Sequence, residues 1–112
     1  AGDEPVCAMT WPAIPRLLRG AGGPIKVRLV KQVRRTLPAA WGQWNDATRT
    51  IRIDKAATPE HRWRVLFHEL THAALNDAGI ENMTNEAALE AFCDAIATAA
   101  IQAMRGELGM ID

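Results

Sequence analysis

Tyrosine is absent from this 112-residue chain, and aromatic residues reach only 5%, as four Trp and two Phe. A phenol is therefore excluded as a proton donor or oxyanion partner. Cysteine is nearly as scarce: Cys7 and Cys93 are too few for a disulfide scaffold and form no CxxC pair, so both read as reduced, buried thiols. No run approaches the roughly 18 uninterrupted apolar residues of a membrane span. The opening AGDEPVCAMT also lacks a basic stretch followed by an apolar one. The expectation is a cytoplasmic protein with no membrane partner.

Net charge is missing too, since 13 Lys and Arg balance 13 Asp and Glu, but the balance hides a split. Residues 1–64 hold twelve of the thirteen basic residues, whereas residues 65–112 hold Arg105 alone against eight acids. Two halves that fold against each other would neutralise such an asymmetry. No aromatic-interleaved basic stripe or nucleic-acid motif accompanies it, so nucleic acid is not expected as a partner. With 48% hydrophobic and 23% charged residues, the composition is that of an ordinary globular domain of a size that supports one core.

The first two dozen residues carry Pro5, Pro12, Pro15 and Pro24 with Gly20, Gly22 and Gly23, which confines helix there to a short piece near 13–19. This stretch, 1–24, reads as an arm leading into a domain over 25–112. Ile25-Lys26-Val27-Arg28-Leu29-Val30 alternates as a half-buried strand does. Two β-favouring runs at 41–44 and 50–53 flank the turn-rich Asn45-Asp46-Ala47-Thr48, which predicts a hairpin with Ile51 and Ile53 on its dry face.

Thr58-Pro59-Glu60 opens a helix: Thr58 caps, Pro59 has no N–H to waste, and Glu60 suits the positive dipole end. Gly79 should stop this helix after about Asp77. A second helix should run from Thr84 or Asn85 to about Arg105, ended by Gly106. The fold class is α+β, a small, mainly antiparallel sheet of about three strands packed against two helices.

Within the first helix lies His68-Glu69-Leu70-Thr71-His72, an HExxH. Residues four apart stack one turn above each other, so both imidazoles can reach one Zn2+, while Glu69, rotated by about 100°, stands beside that face as a base. A catalytic zinc takes three protein ligands and leaves one position to water. No histidine follows at the sixth position after His72, which is Ala78, and His61 lies two turns away along the same helix. The third ligand should then be a carboxylate from the next helix, where Glu86, Glu90 and Asp94 form one stripe at a spacing of four. Glu90, beside Phe92, Cys93 and Ile96, is expected inside as the ligand, with Asp94 accepting from a ligand histidine to fix its tautomer. The alternative moves the pair up one turn, with Glu86 as ligand and Glu90 behind it.

The order of strand, hairpin ending in Ile51-Arg52-Ile53, HELTH helix and a helix reading Glu90-Ala91-Phe92-Cys93-Asp94-Ala95-Ile96-Ala97 resembles the compact gluzincins of the ImmA/IrrE type and similar small phage-encoded zincins, over about residues 25–104. That resemblance implies a minimal zincin-like metallopeptidase domain over 25–112. It implies one zinc held by His68, His72 and Glu90, and Glu69 as general base on zinc-bound water. The run from Asn85 to Glu90 also looks like the third-ligand motif of thermolysin-like enzymes, which keeps Glu86 in play.

The expected function is hydrolysis of a peptide bond in a specific protein substrate. The alternative is a non-catalytic zincin-fold module with a structural or vestigial metal. With no tyrosine, the oxyanion partner would have to be His61, Arg62, Arg64, another arginine of the basic half or the metal alone. Thr71 reads as a helix-bonding hydroxyl, His61 as a first-turn surface residue, and Trp41, Trp44 and Trp63 as packing residues. The hairpin over 41–53 offers an edge to which an extended peptide could add.

Overall fold

The computed structural model describes residues 11–31, 41–80, 82 and 85–106. Strand β1, Leu17–Gly20, turns through Ala21 and Gly22 into β2, Gly23–Val30, as an antiparallel hairpin. Neither Ala21 nor Gly22 takes positive φ; the left-handed backbone falls on the next residue, Gly23 at +131°, where a side chain would be strained. The helix expected near 13–19 does not form: cross-strand pairing with Lys26, Ile25 and Pro24 takes Leu17, Leu18 and Arg19 into the sheet, and 13–16 lead into it without regular structure.

Strand β3, Gly42–Asn45, and β4, Thr50–Asp54, form the expected hairpin, with Asn45 Oδ1 accepting from Ala47 N and Thr48 N at 2.9 and 3.2 Å across the turn. The sheet is larger than the sequence suggests. Among the described residues it has four strands in the order β1-β2-β4-β3, with two antiparallel pairings and one parallel pairing between β2 and β4. Strand β3 is therefore an edge.

Helix α1, Pro59–Asp77, starts where the sequence predicts: Thr58 Oγ1 accepts from His61 N at 3.2 Å, and Pro59 occupies the first turn. It ends with Gly79 at φ +72°, where Ile80 N returns to Leu75 O at 3.1 Å. Helix α2, Glu86–Met104, is capped by Asn85 Oδ1 on Ala88 N at 2.7 Å and stops at Gly106, φ +77°.

The core lies between the sheet and α1. Ile25 and Val27 of β2 and Ile51 and Ile53 of β4 meet Val65, Leu66 and Ala73 of α1, with Trp41, Trp44, Trp63 and Leu70 packed around them. Each fully buried aliphatic side chain contributes about 1.5–3 kcal/mol. Helix α2 docks on α1 through the small stripe Cys93, Ala97 and Ile101. By length and composition α2 could cross a membrane, but here it is one wall of a two-helix seam. Cys7 lies outside the described residues; Cys93 is fully buried.

Arg49, at φ +49°, ties both hairpins to the end of α1. Its guanidinium meets Asp77 Oδ1 and Oδ2 at 2.8 and 3.0 Å and donates to Gly23 O and Pro24 O, while Gly22 N donates to Asp77 Oδ2 at 3.0 Å. A side chain at Gly22 would run into the Asp77 carboxylate. This clamp holds the sheet in a fixed place against the helix that carries the motif.

Candidate metal centre and active site

Four-residue spacing on α1 puts His68 and His72 side by side, with ring centroids 5.0 Å apart. The same spacing runs up and down the antiparallel seam with α2 and makes a ladder of polar rungs. His72 Nε2 meets Glu90 Oε2 at 2.6 Å, His68 Nδ1 meets Asp94 Oδ1 at 2.7 Å, and Arg64 Nη1 donates to Thr98 Oγ1 at 2.9 Å. Arg105 closes the far end on Glu60 at 2.7 Å.

His68 Nε2 also lies 3.3 Å from Glu90 Oε1, so one carboxylate spans both rings. Among the described residues, His68, His72 and Glu90 form a group whose potential ligand atoms all lie within 4.8 Å of one another. The donor chemistry fits zinc: two imidazoles and one carboxylate would hold the ion, and Glu90, half exposed, leaves the group open to solvent. Glu86, one turn earlier in α2, is exposed and outside this group.

Glu90 is not inside as expected: it reaches the two histidines while its side chain stays 49% exposed. Phe92 and Ile96 are 47% and 42% exposed, so they do not draw Glu90 into the core. The buried stripe is Cys93, Ala97 and Ile101, and it is made of small or slim side chains that bring α2 close enough for Glu90 and Asp94 to reach across the seam.

Glu69 is buried at 8% exposure, one of two buried charged residues among those described. Burial, with a further push from Glu90, raises its carboxyl above the usual range, against the opposing pull of His68, His72 and the Trp44 main-chain N–H. Its Oε2 is 3.9 Å from His68 Nε2, beside the histidine pair. Edge strand β3 lies directly over this turn: a Cβ on Gly42 would collide with Val65 Cγ1 and come within 3.3 Å of Glu69 Cγ. Sequence reasoning missed both contributions of β3. The available signal was glycine between two tryptophans, Trp41-Gly42-Gln43-Trp44, where only a missing side chain lets the strand approach the helix so closely.

Asp54 N donates to Trp41 O at 2.8 Å, which sets the phase of the β3–β4 ladder. Residues 41, 43 and 45 bond inward to β4, so the main-chain groups of Gly42 and Trp44 face the free edge. That phase explains how the Trp44 N–H meets Glu69.

The remaining candidates point elsewhere. His61 is not a plain surface residue: its ring packs on Trp41 with centroids 4.7 Å apart, and burial, with Arg64 nearby, lowers its pKa. Arg62 spends Nε and Nη2 on Ala57 O and Lys55 O. Thr71 Oγ1 donates to Phe67 O at 2.8 Å, a bond within the helix. Trp63 packs near the core and donates to Pro12 O at 2.7 Å.

No curated protein and no solved structure gives a significant match to this chain. A family model does: the IrrE N-terminal-like domain of the M78 peptidases matches residues 29–104, a span that includes β3, β4, the HExxH helix and all of α2. Over that span the chain carries a metallopeptidase-type domain, and it belongs to the IrrE N-terminal-like family.

Proposed function

We propose that this protein is a zinc-dependent metallopeptidase acting on a specific protein substrate. Its metal ligands are His68, His72 and Glu90, and its general base is Glu69. The observation that carries the reading is the convergence of two imidazoles and one carboxylate within 4.8 Å, with a buried glutamate alongside. Zinc bound there would lower the pKa of water toward 7 and polarise the scissile carbonyl.

The chain's own residues do the rest. Asp94 accepts from His68 Nδ1, which leaves Nε2 as the donor atom and holds the ring in place. Glu69, with a raised pKa, takes a proton from the attacking water and returns it to the leaving amine. An extended substrate adds to β3, its backbone pairing with the outward N–H and C=O of Gly42 and the C=O of Trp44, while the Trp44 N–H stays with Glu69. Because the Trp44 N–H already faces Glu69, the scissile bond is carried past the base.

A second reading, a regulatory zincin-fold module, draws support from the arginines that could have stabilised an oxyanion: Arg62 is engaged by backbone carbonyls and Arg64 by Thr98. Zinc-loaded wild type and Glu69→Gln, each incubated with a proteome-derived peptide library, separate the two. New N-termini with wild type alone support the peptidase. Zinc bound equally by both proteins, with no new termini from either, supports the module.

A further inference from the structure

At the side of the sheet away from β3, residues 13–17, β2, the loop after β4 and the first turns of α1 enclose a cavity of about 710 Å³. Among the described residues, every ionisable side chain lining it is a cation: Arg16, Lys26, Arg28, Lys55 and Arg62. Arg62 is held by Ala57 O and Lys55 O at 3.0 and 2.8 Å, and Arg28 Nη1 by Val27 O at 3.2 Å. Carbonyls orient a guanidinium without cancelling its charge. The carboxylates that neutralise other arginines are spent elsewhere, Glu60 on Arg105 and Asp77 on Arg49.

Five like charges around a concave surface raise the local potential for an anion well above that of a flat surface. Between the cations the lining is aliphatic, and Leu17 and Leu29 are 63% and 37% exposed. Among the described residues no aromatic ring lines the cavity. Single-stranded nucleic acid is held by rings on which bases stack, so the lining favours a peptide over a polynucleotide. The volume suits a few side chains of such a peptide.

We propose that this cavity docks an acidic, leucine-rich peptide segment of a protein partner, on the opposite side of the sheet from the β3 edge. Identifying that partner with the substrate of Glu69 rests on the peptidase reading; the docking does not. Such a contact gives a small domain selectivity for one protein that its short cleavage edge cannot supply.

The test is fluorescence anisotropy with a fluorescein-labelled peptide of Glu-Glu-Leu repeats, against a Lys-Lys-Leu peptide and a short oligothymidylate. The acidic peptide should bind, weaken with added salt, and lose about tenfold in affinity in Lys26→Glu/Arg28→Glu. Its affinity should be unchanged in Glu69→Gln and His72→Ala, which separates this result from any failure of the metal site. If the double reversal fails to fold by circular dichroism, Arg16→Gln/Lys55→Gln supplies the same comparison. Binding no tighter than that of the Lys-Lys-Leu peptide, or binding insensitive to the cavity variants, overturns the proposal. Tighter binding of the oligothymidylate with the same sensitivity overturns it in favour of nucleic acid.

Discussion

His68 Nδ1 stands 2.7 Å from Asp94 Oδ1, while the other ring nitrogen, Nε2, faces Glu90 at 3.3 Å. One histidine is thus gripped by two residues a single turn apart on α2. Asp94 is 75% exposed along its side chain, so its removal leaves folding nearly untouched. Asp94→Ala should weaken zinc binding about 10–100-fold and shift stability by less than about 0.5 kcal/mol. Chelator competition and urea denaturation read the two effects separately.

Gly42 lies where β3 crosses the Glu69 turn, with no room for a methyl beside Val65 Cγ1 and only 3.2 Å to Arg52 O. Gly42→Ala should destabilise the fold by about 1–3 kcal/mol through overpacking. Because β3 must lift away from α1, hydrolysis should fall while zinc content stays near that of wild type. Denaturant melts, metal analysis and turnover on one preparation check all three.

The helices are legible because their signals are local. Thr58 before Pro59, Asn85 before an alanine-rich run, and Gly79 and Gly106 mark ends that the backbone respects. The sheet is harder to read. Leu17-Leu18-Arg19-Gly20 has no strong alternation, and its strand exists only because β2 pairs with it; the parallel pairing of β2 with β4 depends on residues more than twenty positions apart. The site divides the same way. Meeting imidazoles follow from a spacing of four on one helix, and the stripe Glu86, Glu90, Asp94 from the same rule on the next. Which turn of α2 faces His68 depends on the register of the packed stripe Cys93, Ala97, Ile101, and the Trp44 N–H depends on the phase of a ladder. Neither is a property of neighbouring residues.

Asp77 is held below the usual carboxylate range, chiefly by its bonds from Arg49 and then by Gly22 N. A depressed folded pKa means stability that is fully present above the unfolded value of about 3.9 and is lost as pH falls through the lower folded value. Asp77→Asn should lower the melting temperature at neutral pH and flatten its decline between about pH 4 and pH 2. Thermal melts across that range, wild type against variant, measure it.

Ile51 and Ile53 are both 0% exposed on the strand at the centre of the core. Either one changed to Ala should cost about 2–5 kcal/mol, whereas Thr50→Ala on the same strand, at the partly exposed turn end, should cost well under half of that. Equilibrium urea unfolding of the three variants distinguishes a packed core strand from a loosely held edge.

The claim on which the account stands is that His68, His72 and Glu90 hold one divalent ion together. Elemental analysis of the zinc-loaded chain after gel filtration tests it directly, with wild type, His72→Ala and Glu90→Ala treated alike. The account predicts close to one zinc per chain in wild type and a small fraction of that in both variants. No zinc in the folded wild type, or equal zinc in all three, would contradict it.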